Sequence, residues 1–198
     1  MDKVRKFTLR FHYNSPVVLT FVLLSALALL LNNWTNGYTN RYVFSVYRSS
    51  FLDPLTYIRL FGHVLGHVNR VHFTNNIIVL LLVGPMLEEK YGSRLMLRMI
   101  LITAFITGII NNIFFPHTAL IGASGVVFMM ILLASMASAK EGSIPLTLLV
   151  TLIVYLGQEI MDGLFTVDNI SHISHIIGGL CGVAFGYLFL AANRKKEY

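Results

Sequence analysis

Charge and cysteine are what this chain has least of. Only 12% of its 198 residues are Asp, Glu, Lys or Arg, about half the share of roughly 25% that soluble domains carry. So little charge cannot cover a water-facing surface. The single cysteine, Cys181, excludes an internal disulfide and any cysteine-based metal cluster. No His-Glu-x-x-His occurs, so the helix-borne zinc site of metalloproteases is missing. His63-x-x-x-His67 could hold a metal with His72, but loop histidines at that spacing read first as interfacial polar residues. No metal or other cofactor is expected. The formal charge of +6 comes from basic residues that are not gathered on a soluble module, so nucleic acid is not an expected partner.

What is present is apolar. Hydrophobic residues make up 56% of the chain, mean hydropathy is +0.70, and apolar runs recur along its length. That pattern indicates an all-α polytopic membrane protein whose environment is the lipid bilayer. With no internal repeat and no low-complexity linker, residues 1–198 read as a single domain of six transmembrane helices. Residues 1–15 are a short basic arm, and Ser15-Pro16 reads as an N-cap with proline at the first helical position. Helix 1 is expected over Val17–Leu31. Ala26-Leu27-Ala28 resembles a signal-peptide cleavage site, but it lies inside the apolar run and three leucines follow, which favours a retained span. Asn32–Arg70 is too polar to span and rich in aromatics that alternate with Arg41, Arg48 and Arg59. It suits a structure lying in the headgroup region, aromatic rings down and guanidinium groups up, with Asp53-Pro54 as a turn. The remaining helices are expected over Val71–Leu87, Leu95–Phe115, Ser124–Lys140, Pro145–Asp162 and from Ile170 to before Arg194, leaving a tail at 193–198.

The positive charges give an orientation. With the N-terminus inside, Lys3, Arg5, Lys6, Arg10, Lys90, Arg94, Arg98, Lys140, Arg194, Lys195 and Lys196 fall on the inner side. Only Arg41, Arg48, Arg59 and Arg70 fall outside. Both termini are therefore expected in the cytoplasm. The second, fourth and sixth helices then all begin on the outer side. Their first turns carry the polar residues that are costly in lipid: His72 and Asn76, one turn apart; Ser124; and His172 with His175.

Ser124 lies between Gly122-Ala123 and Gly125, where an irregular stretch gives way to an apolar helical run. Alone, a Gly-x-Ser-Gly at a helix entry reads as a cap and a close-packing site. Beside unpaired helix N–H groups, the same serine could be a nucleophile with half its oxyanion hole built in. Gly178, Gly182 and Gly186 recur every four residues and prepare the last helix for a close neighbour. His175 tops that stripe. If the helix of Ser124 is the neighbour, the two side chains come within hydrogen-bond reach as a nucleophile–base dyad. His172, three residues earlier, is expected nearer bulk water.

Gly122-Ala-Ser124-Gly125, His72-x-x-x-Asn76 and His175-Ile-Ile-Gly178 together resemble the signature motifs of the rhomboid intramembrane serine proteases. Their order and helix positions are similar to the compact six-helix bacterial GlpG type over nearly the whole chain. The resemblance implies a rhomboid bundle with a half-embedded first outer loop, and a bacterial inner-membrane location with the active site on the outer side. It implies Ser124 as nucleophile, His175 as general base, and an oxyanion hole from the Ser124 backbone with His72 and Asn76. It implies structural roles for Arg59 and Glu88. Single-span or polytopic membrane proteins would be the substrates. Three positions depart from the family pattern: Ile58 stands for a tryptophan, Ser174 for an alanine, and Phe128 for a tyrosine that stacks on the histidine. Other readings are a rhomboid-like binder of membrane proteins without catalysis and a small transporter lined by the same polar groups.

Overall fold

The computed structural model describes residues 12–137, 139–140, 143–157 and 172–194. The expected end of the fifth helix at Asp162, the start of the last at Ile170, and the basic residues Lys3, Arg5, Lys6, Arg10, Lys195 and Lys196 lie outside them. The described residues form α1 (Pro16–Trp34), α2 (Pro54–Gly62), α3 (Arg70–Tyr91), α4 (Ser93–Phe114), α5 (Ser124–Ser135), α6 (Leu146–Thr151) and α7 (His172–Arg194). A π-helical turn at Asn40–Phe44 precedes α2, and another at Leu152–Leu156 continues α6. Among the described residues the only β pairing is an isolated antiparallel bridge between Val46 and Leu120. The molecule is an all-α membrane bundle. Helices α1, α3, α4 and α7 are long and apolar enough to cross a membrane, while α5 and the α6 segment are shorter apolar helices.

The start of α1 differs from the capping expected of Ser15. Ser15 sits in the left-handed region and its side chain caps nothing. Glu88 of α3 does that work: its two carboxylate oxygens accept from the Val17 and Val18 amides at 3.0 and 2.9 Å. A carboxylate at a helix N-terminus satisfies orphan donors and meets the positive end of the dipole. The turn between α3 and α4 is a single residue, Gly92, at φ 82°, a conformation that favours glycine. Asp53-Pro54 is a helix start and not a turn within the loop, because Asp53 caps the Leu55 amide and Pro54 occupies the first turn of α2.

Helix α5 runs through the middle of the bundle, with Val126, Val127, Met129, Met130, Leu132 and Leu133 all buried. It stops at Ser135, short of the expected Lys140. There the Ser135 hydroxyl bonds back to the Ile131 carbonyl, and the Ala137 and Ala139 amides fold onto carbonyls three and three residues behind. Twelve residues cover about 18 Å, well short of the roughly 30 Å of a bilayer core. One end of α5 must therefore stop within the depth of the bundle. Helix α7 lies against α5 along the glycine stripe: a Cβ on Gly178 would strike the Gly125 backbone, and one on Gly182 would strike the backbone of Met129 and Leu133. The expected neighbour relation holds.

The loop from Thr35 to Asn69 is clamped onto the bundle. Arg59 is buried rather than raised toward water. Its Nε donates to the Tyr42 carbonyl at 2.8 Å, its Nη1 pairs with Asp53 at 3.3 Å, and its guanidinium lies 4.6 Å from the Tyr47 ring centre. Asn111 at the end of α4 donates to the carbonyls of Val46 and Thr118, and Asn112 accepts from the Ser49 amide at 2.8 Å. These bonds join the loop to the Phe115–Ala123 segment that leads into Ser124.

Candidate active site

Ser124 opens α5, and its backbone N–H belongs to the first turn, where no intrahelical acceptor exists. His175 is the fourth residue of α7 and is buried. The contact of α5 with α7 brings them together: His175 Nε2 is 2.8 Å from Ser124 Oγ. Close approach here depends on Gly178. The Gly178 Cα faces the Gly125 backbone, so any side chain there would push the two helices, and the two side chains, apart. Gly182 holds the same spacing one turn further along.

Phe128, one turn beyond Ser124, stacks on the His175 imidazole with ring centres 4.6 Å apart and planes 5° from parallel. The ring that replaces the family's tyrosine thus covers the histidine face. His172 is half-buried, with its ring centre 6.4 Å from that of His175. Of the two histidines, it is His175 that meets the serine.

Two more predicted residues come from the start of α3. Asn69 caps the helix by accepting from the His72 amide at 2.8 Å. The His72 ring then lies against Gly122, two residues before Ser124. The Gly122 backbone has φ 132°, and a Cβ there would lie 2.6 Å from His72 Cε1 and 2.8 Å from its Nε2. Gly122 is therefore required twice, for its conformation and for the space the imidazole occupies. Asn76 is buried, and its Nδ2 has no hydrogen-bond partner among the described residues. A buried donor in that condition costs about 1–3 kcal/mol.

The loop histidines do not form a metal centre. Among the described residues, no group of three or more His, Cys, Asp and Glu side chains could hold a metal ion. His63 spans the Arg59 carbonyl and the Thr107 hydroxyl, at 3.2 and 3.3 Å. Its own carbonyl accepts from the Gly122 amide at 3.0 Å. His67 places Nδ1 on the Leu65 carbonyl at 3.1 Å and its ring edge-on to His72, 5.2 Å between centres. Burial pushes both imidazoles down to about 4, so both are neutral near pH 7.

Arg59 and Glu88 lie away from Ser124, in the loop clamp and at the α1 cap respectively. Sequence reasoning missed Thr107, Asn111, Asn112 and Tyr155. The signal for the first three was available: Thr107 and Asn111 are one turn apart on an apolar helix. Tyr155 gives no such signal, since its contact with Phe128 depends on how α6 lies against α5.

A family model described as the Rhomboid domain matches residues 54–192. Rhomboid protease GluP of Bacillus subtilis (strain 168) is 28% identical over 172 residues, which is 83% of this chain and 33% of that protein. Rhomboid protease GlpG of Haemophilus influenzae is 28% identical over 127 residues, 62% of this chain and 66% of that protein. The chain thus spans a third of the length of the first relative and just under two thirds of the second.

Proposed function

Because the chain belongs to the rhomboid family, we propose that it is an intramembrane serine endopeptidase that hydrolyses a peptide bond in or beside the membrane span of another membrane protein. The observation that carries this reading is the 2.8 Å contact between Ser124 Oγ and His175 Nε2, made at a helix N-terminus. That both relatives bear the name rhomboid protease supports it.

The chemistry follows from the geometry. His175 Nε2 accepts the Ser124 hydroxyl proton as Oγ bonds to the scissile carbonyl carbon. The carbonyl π electrons move onto oxygen, where the Ser124 N–H, the His72 imidazole and the Asn76 Nδ2 donate to the oxyanion. His175 next gives its proton to the leaving amine as the C–N bond breaks, leaving an acyl-enzyme on Ser124. Water, deprotonated by the same imidazole, then releases the acid and restores the hydroxyl. Asn76 Nδ2, which has no partner among the described residues, gains one in the transition state. Phe128 keeps the imidazole face dry and fixed.

The balance of positive charge supports an integral protein of a bacterial inner membrane with cytoplasmic termini and the site toward the outer side. Substrates are membrane proteins, single-span or polytopic, whose chain unwinds near that surface. The test is cleavage of a single-span reporter co-reconstituted in lipid vesicles, wild type beside Ser124→Ala. Cleavage by wild type alone is expected; equal cleavage by both would defeat the proposal.

A further inference from the structure

We propose that Tyr155 is a positioning residue of this site, holding the His175 ring in line with Ser124 through Phe128. The inference rests on the protease reading and adds to it a residue from a helix that contributes nothing else to the dyad. Three rings form a continuous stack. His175 lies flat on Phe128 at 4.6 Å and 5°, and Phe128 meets the Tyr155 ring edge-on at 5.6 Å and 89°. Phe128 has no polar atom, so packing alone sets its orientation. An edge-to-face partner on one side and a stacked partner on the other restrain both its tilt and its rotation.

The backbone is shaped to deliver that contact. Helix α6 is pinned to α5 by Thr147 Oγ1 on the Ser135 carbonyl at 3.1 Å and by Ser135 Oγ on Thr151 Oγ1 at 3.0 Å. Buried Leu148 packs with Leu132 and Met136 at the same contact. Tyr155 comes one turn after Thr151, and there the helix widens into the π-helical turn Leu152–Leu156. Such turns shift the register of the following side chains and recur at functional sites. Here the shift belongs to the turn that carries the ring onto Phe128. A base that must stay 2.8 Å from Oγ while a proton moves is sensitive to small rotations of its ring, and alignment of this kind carries a large share of the rate.

The experiment uses the full-length protein in lipid vesicles and reads kcat and KM on a single-span reporter. It also reads the rate of Ser124 labelling by a fluorophosphonate, normalised to folded protein, and the Tm. Tyr155→Leu should lower kcat and the labelling rate roughly two- to tenfold, the weight of one aromatic pair, with KM and Tm near wild type. Tyr155→Phe keeps the ring and should restore both rates. In a Phe128→Leu background, Tyr155→Leu should add no further loss, because its only route to His175 is gone. An unchanged or increased rate in Tyr155→Leu would overturn the proposal. So would a loss confined to the unfolded fraction, or a full additional loss in the Phe128→Leu background. If wild type itself does not label, the protease reading fails instead.

Discussion

A serine hydroxyl at the entry of a membrane helix is an unreactive group until its surroundings are specified, and here four side chains specify them. In the proposed mechanism His175 supplies the base, Phe128 its packing, and His72 and Asn76 the donors. His175, His72 and Asn76 stood out in the sequence because hydrogen-bonding groups inside apolar runs have few structural explanations; Phe128 was visible only through the family resemblance. The choice of His175 over His172 was legible too, since only His175 heads the glycine stripe. Two outcomes follow at this scale. Asn76→Ala should reduce kcat by on the order of 10²–10³, the usual cost of one oxyanion donor, with a smaller change in KM; steady-state kinetics on the reporter would show the split, and a KM effect alone would make Asn76 a binding residue. His175→Ala should abolish cleavage in folded protein, while His172→Ala should keep a substantial part of it.

At the scale of elements, the site depends on two close contacts. One is α5 against α7. Gly182→Ala would drive a methyl into the Met129 and Leu133 backbone, and overpacking of this kind costs about 1–3 kcal/mol; a fall in the unfolding temperature together with loss of activity is expected. The other contact is the outer loop on the Phe115–Ala123 segment. Polar residues on the apolar α4 were visible, but their partners were not: Asn111 and Asn112 bond backbone groups of Val46 and Ser49 and Thr107 meets the His63 side chain, all distant in the chain, and such pairings have no local pattern. Arg59 was visible as a residue of interest, yet its direction was not: burial among Tyr42, Asp53 and Tyr47 is a tertiary fact. Arg59→Ala should lower the unfolding temperature while leaving turnover in the material that stays folded, checked by activity per folded molecule.

The loop also carries a pH signature. His63 and His67 titrate near 4 when folded, against about 6.5 when unfolded. Between those values the unfolded chain binds more protons, so stability falls as pH drops from about 6.5 toward 4 and is flat above. Each histidine accounts for a loss on the order of 3 kcal/mol at the acid end. Denaturant titrations across that range should show the slope, and His63→Gln should roughly halve it.

For the whole molecule, composition alone fixed the class: too little charge for water, enough apolar runs for a bundle. Four helices long enough to span were readable from their length and hydropathy. The early end of α5 was not, because Ala, Ser and Met continue a helical pattern beyond the point where packing ends it. Its first residue, Ser124, is half-buried between buried Ala123 and Gly125. The central claim is that this half-buried serine, activated by His175, is the nucleophile. The most direct measurement is mass spectrometry of the intact protein and its peptides after reaction with a fluorophosphonate in lipid vesicles. One adduct on Ser124 is expected, missing in Ser124→Ala and strongly reduced in folded His175→Ala. An adduct elsewhere, or equal labelling of all three proteins, would contradict it.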